Sequence, residues 1–218
     1  MPDHLTRFEA AFAAMPLIAI LRGIRPEEAV GIGEALVAAG IRIIEVPLNS
    51  PEPFESITRL VRRFKAEAVI GAGTVRWPHE VERLRELGAG LVLSPHVDAA
   101  VVRASVAAGI VSIPGILTPT EAFLALNSGA HALKLFPMEM IGTPGARAMR
   151  AVLPRGTRLV AVGGVGEGNA AQLLDGACDG LGIGSSLYKP GDKASTVGER
   201  ARRFIQATGS GSARTTSG

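Results

Sequence analysis

Residues 16–49 read PLIAILRGIRPEEAVGIGEALVAAGIRIIEVPLN, and this stretch decides the fold class. Its outer segments, PLIAILR and RIIEVPL, are short apolar runs without a polar face, the pattern of strands buried on both sides in a parallel sheet. Between them, PEEAVGIGEALVAAG opens on a proline and two glutamates and holds apolar residues at helical spacing. It stops at Gly40, as expected of a helix closed by a left-handed glycine. The unit is strand, helix, strand.

The same unit recurs along the rest of the chain. AVIGAGT, GLVLSP, GIVSIPG, HALKLFP, RLVAVGG and DGLGIGS continue the strands, and amphipathic segments with glycine stops at Gly88, Gly109, Gly129 and Gly176 alternate with them. Each repeat takes about 25 residues, so about eight fill the chain, the number that closes a (β/α)8 barrel. The sequence therefore predicts an α/β fold: one TIM-barrel domain over residues 1–207, with an N-terminal helix at roughly Leu5 to Ala14 to cap the barrel floor. Residues 208–218, rich in Gly, Ser and Thr, read as a flexible C-terminal tail. An open doubly wound sheet is compatible with the same alternation. Against it, the first strand exits into LRGIRPEE and not into the GxGxxG turn that such sheets use for dinucleotides.

Composition narrows the function. Of 218 residues, 47% are hydrophobic and 20% charged, which suffices for a large core and excludes wholesale disorder. The net charge is only +3, with no basic block interleaved with aromatics, so nucleic acid is not an expected partner. The longest apolar run, Ala10–Leu21, is interrupted by Pro16 and falls short of the ~20 residues of a bilayer span. No basic leader with a cleavage site precedes it, and a cytoplasmic protein without a membrane partner is expected. The lone cysteine, Cys178, forms no internal disulfide and no thiolate cage. No HxH, HExxH or carboxylate cluster has metal-ligand spacing.

In a barrel the chemistry sits at the C-terminal ends of the strands, and polar residues break the apolar pattern there. In HALKLFP, alternation puts Ala132, Lys134 and Phe136 on one face and Leu133 and Leu135 on the other. An amine among apolar groups favours its neutral form, which makes it a nucleophile; alternatively it snorkels to the rim or neutralises a carboxylate. In RIIEVPL the same parity groups Ile43, Glu45 and Pro47. Glu45 is then a general acid/base with a raised pKa, or half of a buried ion pair with Lys134 or Arg22. Arg22 ends the first strand in phase with Ile18 and Ile20, where its guanidinium suits a substrate carboxylate or pairs with Glu45.

Thr74 follows Gly71 and Gly73, whose missing side chains leave room for a ligand beside its hydroxyl. Phe136, Pro95 and Pro114 read as pocket wall or simply as core. At the last two strand exits, Gly163 and Gly164 precede a helix start, and Gly184, Ser185 and Ser186 follow one unit later. Backbone amides converging there, with a helix dipole behind them, make a phosphate site; the bland alternative is a pair of tight turns. His79 and His131 read as surface residues, and His96 as lining the mouth.

Taken together, PLIAILRG, GIRIIEVPLNSP, VIGAGTV, LVLSPH, IPGILTPTEA, ALKLFP, AVGGV and GIGSSLY resemble the class I pyruvate aldolases that cleave 2-keto-3-deoxy-6-phosphosugar acids, collinearly from about Pro16 to Tyr188. The resemblance implies a TIM barrel, usually a homotrimer, acting without cofactor on a phosphorylated keto acid. It implies Lys134 as Schiff-base lysine, Glu45 as proton shuttle, Thr74 and Arg22 on the pyruvyl part, and Gly163, Gly164, Gly184 and Ser185 on the phosphate. EVPLNSP, where phosphogluconate-type enzymes typically read EVTLRT, looks like the 2-dehydro-3-deoxy-6-phosphogalactonate branch, with Asn49 near the pyruvyl and hydroxyl end of the substrate. His96 departs from the Gly or Asn more usual there, and Met138 and Glu139 receive no role. Other functions on the same scaffold are a 2-dehydro-3-deoxy-6-phosphogluconate or 4-hydroxy-2-oxoglutarate aldolase, a phosphosugar isomerase or epimerase, and a non-catalytic phosphosugar-binding protein.

Overall fold

The computed structural model describes residues 3–209. Helix α1 (His4–Ala14) leads into β1 (Leu17–Ile20), α2 (Pro26–Ala39), β2 (Ile43–Pro47), α3 (Pro53–Phe64) and β3 (Val69–Gly73). The alternation continues through α4 (Pro78–Glu86), β4 (Leu91–Leu93), α5 (Ala99–Ala107), β5 (Val111–Ile113), β6 (Gly115–Ile116), α6 (Pro119–Asn127) and β7 (Leu133–Leu135). It ends with α7 (Met138–Val152), β8 (Leu159–Val162), α8 (Glu167–Leu174), β9 (Gly180–Ile183) and α9 (Ala194–Ala207). The five glycines read as helix stops all have positive φ, from +69° at Gly109 to +109° at Gly40.

The parallel strands run in the order β5-β4-β3-β2-β1-β9-β8-β7-β6. Its two ends, β5 and β6, are separated in sequence only by Pro114, so they are halves of one stave and the ladder closes on itself. Proline has no N–H to give the ladder, and the pairing changes sides across it: β5 pairs with β4, β6 with β7. At this seam Lys134 N donates to Pro114 O at 2.9 Å and His131 N to Ser112 O at 3.0 Å. The nine segments thus make the expected (β/α)8 barrel of eight staves. Correcting the surface reading of His131, its half-buried ring joins the seam, Nδ1 accepting from Ser112 N at 3.0 Å.

Strand parity separates two apolar layers. Leu17, Ala19, Ile44, Val46, Leu133 and Leu135 face the helices, whereas Ile18, Ile20, Ile43, Val69, Leu91, Ala132 and Val160 fill the barrel. Phe8 and Phe12 of α1 belong to the inner set and close the floor, their ring centroids 5.4 Å apart. Gly180 makes room for this plug, since a Cβ there would meet the Phe12 ring. Asp3 starts the helix by accepting from Thr6 N at 2.7 Å.

The segment TPGARAMRAVL reads as helical from Thr143, but α7 begins five residues earlier, with Met138, and breaks at Gly142, whose φ of 65° and ψ of 169° are not helical. The extra turn sits directly after the Lys134 strand. At the C-terminus, Thr208 and Gly209 close α9; the predicted tail beyond them, residues 210–218, lies outside the described residues. Phe8→Ala should remove about 3 kcal/mol of stability, read as a lower midpoint in urea unfolding with the circular dichroism of the folded state retained.

Candidate active site

Glu45 on β2 and Lys134 on β7 both point into the barrel near its C-terminal end, and only 2% and 6% of their surfaces are exposed. Burial holds the Lys134 ammonium below its ordinary pKa; Glu45 opposes that shift and the Arg22 cation adds to it. Burial likewise pushes the Glu45 carboxyl up to about 7, against the pull of Lys134, Arg22 and the Gly73 amide. Glu45 Oε2 has no hydrogen-bond partner. Among the described residues neither group makes an ion pair within 4.0 Å, so the alternative of a neutralised buried pair is not what forms. Gly73 is needed for this arrangement, because a Cβ there would collide with both carboxylate oxygens of Glu45. Lys134 Nζ lies 4.4 Å from the centroid of the Phe136 ring, a face that tolerates a transient cation.

The other predicted residues ring these two. Exposed Arg22 donates through Nη1 to Asn49 Oδ1 at 2.7 Å, linking the exits of β1 and β2. Beside it Gly23 N donates to Ser50 Oγ at 2.9 Å; the sequence reading passed over Ser50, whose only signal is its place beside Asn49 in LNSP. Thr74 sits at φ 57°, a left-handed conformation that costs a β-branched residue about 1–3 kcal/mol and tends to occur at working sites. Pro95, half-buried at the β4 exit, has its carbonyl so close to Gly115 that a Cβ there would lie 2.6 Å from it. His96 and His79 are exposed.

A cavity of about 370 Å³ opens at the same end. It brings together Arg22, Phe136, Gly163, Gly164, Gly184, Ser185 and Ser186, and adds Val162 and Val165. Lys134, Glu45, Asn49, Thr74 and Pro95 are not part of its lining. Gly163 and Gly164 take φ values of 98° and 65°, open only to glycine without strain. The backbone N–H groups of Gly164, Val165, Ser185 and Ser186 find no acceptor among the described residues, leaving donors around a hollow able to take an anion. The Glu139 carboxylate also lies against this loop, within 2.7 Å of where a Gly164 Cβ would stand, a contact that nothing in FPMEMIG announces. Among the described residues no three His, Cys, Asp or Glu side chains converge on a metal-sized site.

This geometry combines a buried amine able to attack a carbonyl, a carboxyl poised to exchange a proton near neutrality, and an anion-sized cradle beside them. Known proteins similar to this chain point the same way. The family model described as KDPG and KHG aldolase matches residues 8–196. A Rhizobium meliloti (strain 1021) protein named probable 2-dehydro-3-deoxy-6-phosphogalactonate aldolase is 50% identical over 192 residues, 88% of this chain and 91% of that one. The 2-dehydro-3-deoxy-6-phosphogalactonate aldolase of Escherichia coli (strain K12) is 43% identical over 193 residues, 88% of this chain and 94% of its own. The Legionella pneumophila KDPG aldolase structure with pyruvate captured at low pH as a covalent carbinolamine aligns with a TM-score of 0.77 at 27% identity, over 91% of this chain and 95% of that one.

The Glu45 shift has a measurable consequence. In the unfolded chain this carboxyl ionises at its ordinary 4.5, in the native state at about 7, so between those values the native state binds more protons. Stability should fall as pH rises through that window and level off above it. Glu45→Gln should lack this decline in urea unfolding measured across pH, and a ¹³C-detected titration of wild type should place the Glu45 carboxyl near neutrality.

Proposed function

Because the chain belongs to the KDPG and KHG aldolase family, we propose that it cleaves 2-dehydro-3-deoxy-6-phosphogalactonate to pyruvate and D-glyceraldehyde 3-phosphate through a Schiff base on Lys134. The observation that carries this reading is the buried amine and carboxyl, each displaced toward neutrality and neither consumed in an ion pair. The substrate assignment draws on the names of the Rhizobium and Escherichia relatives and on Asn49 in EVPLNSP.

Neutral Lys134 adds to the C2 ketone; protonated Glu45, directly or through water, gives its proton to the departing hydroxyl, so that water leaves, the imine forms in its protonated state and Glu45 is left ionised. Ionised Glu45, directly or through water, takes the C4 hydroxyl proton while the C3–C4 bonding electrons move into the imine. The aldehyde departs, leaving an enamine. Protonation at C3 and hydrolysis, which returns the water, release pyruvate and the free amine. The cationic nitrogen is the electron sink, the role a divalent ion plays in metal-dependent aldolases. Arg22, held by Asn49, and Thr74 face the pyruvyl end in this reading; Phe136 and Pro95 wall the site. The free amides around Gly163, Gly164, Gly184 and Ser185 receive the phosphate.

We also infer a homotrimer in the cytoplasm, with no nucleic acid or membrane partner. Exposed Leu117, Phe123 and Leu124 on and before α6, with Met140 on α7 at 73% exposure, support burial of apolar surface against other copies. Among the described residues no helix is long and apolar enough to cross a membrane. Sedimentation velocity should give about three times the chain mass; a monomer would remove the trimer.

Coupled to a lactate dehydrogenase assay with EDTA present, the enzyme should release pyruvate faster from the galactonate epimer than from the gluconate epimer. Lys134→Ala should abolish turnover, and Glu45→Gln should slow it by about 10²–10⁴-fold. Pyruvate with borohydride should add mass to the Lys134 peptide. An unmodified peptide would overturn the assignment.

A further inference from the structure

We propose that Asn169 and Ser186 are positioning residues that hold the phosphate loop in its anion-binding shape. The inference rests on the aldolase reading above and concerns two side chains to which that reading gives no role. Asn169 lies in the first turn of α8. Its Nδ2 donates to Gly164 O at 2.8 Å, and its Oδ1 accepts from Gly166 N at 2.9 Å. Ser186, on the loop after β9, donates through Oγ to Val165 O at 2.6 Å, tying the two glycine-rich exits together.

These three bonds act on the two peptide groups that flank Val165. Those groups present four polar atoms, Gly164 O, Val165 N, Val165 O and Gly166 N. Three are held by Asn169 or Ser186. Only Val165 N is left without an acceptor among the described residues, and Val165 lines the cavity. In a trans peptide the C=O and N–H point opposite ways, so drawing Gly164 O back toward Asn169 aims the Val165 N–H away from it. The left-handed Gly163 and Gly164 would otherwise leave this segment free to rotate. The two side chains convert a pliable turn into a fixed donor array, which is how preorganised amides gain strength toward an anion.

Removing the clamp should therefore affect the phosphate and spare the amine chemistry. In the condensation direction, Asn169→Ala and Ser186→Ala should each raise KM for D-glyceraldehyde 3-phosphate about tenfold. Rates with pyruvate and unphosphorylated D-glyceraldehyde should stay within about twofold of wild type. Asn169→Asp, which keeps the acceptor for Gly166 N and loses the donor to Gly164 O, should match Asn169→Ala or exceed it, and Ser186→Thr should restore most of the loss. Calorimetric titration with inorganic phosphate should show the same loss in affinity, and melting curves will reveal any variant that fails to fold. Equal losses on both aldehydes, unchanged phosphate affinity in the variants, or a wild type that does not bind inorganic phosphate would each overturn the proposal. If wild type condenses neither aldehyde, the aldolase reading fails, and the phosphate titrations still decide the role of the clamp.

Discussion

Everything at the mouth depends on two ionisable side chains that share a dry interior without neutralising each other. Water removed from both costs several kcal/mol per charge in such surroundings, and each group relieves part of that cost by shifting toward its uncharged form. A direct salt bridge between them would be the cheaper arrangement and a useless one, because a paired ammonium is no nucleophile. Glu45 and Lys134 attract each other enough to moderate both shifts while staying beyond ion-pair distance. The barrel supplies this compromise by geometry: the two residues stand on strands separated by others in the ladder, and Gly73 yields the volume that the carboxylate occupies.

The rest of the architecture can be ordered around that pair. Inward-facing aliphatic side chains from several staves lower the polarity about it, and the outer layer of helices fixes the staves. Loops at the exits then surround the amine with groups of graded character. Arg22, bonded to Asn49, and Phe136, whose ring faces the Lys134 amine, line one cavity together with the bare amides of the last two exits. In the proposed reading, the carboxylate, ketone and phosphate of the substrate meet the guanidinium, the amine and those amides.

How much of this was readable beforehand follows from which signals are local. Alternation in HALKLFP and RIIEVPL told which face Lys134 and Glu45 would take, since a period of two is a property of the strand alone. Helix stops were equally plain, because Gly40 and its counterparts announce a left-handed backbone. What escaped was relational. GIVSIPG reads as one strand, and only the ladder reveals that Pro114 divides it into halves serving different neighbours. The absence of a Glu45–Lys134 ion pair is a matter of distance across the barrel, on which parity is silent. Thr74 gives no hint of its left-handed turn, His131 none of its seam bond, Ser186 none of its side-chain bond to Val165, and Asn169 looks like an ordinary surface polar residue until its partners are seen. The early start of α7 escaped because Gly142 cuts its first turn, MEMI, off from the helical pattern that starts at Thr143.

The phenylalanine plug formed by the first helix closes the floor of the barrel, opposite the mouth. The inward aliphatic side chains are stacked between Phe12 and the mouth, so in the proposed imine chemistry solvent released or consumed at Lys134 travels by the same route as reactants and products. An occupant that fills the mouth is then its own stopper: while it stays, the chamber is shielded from bulk water, and hydrolysis waits until the departing aldehyde clears the passage.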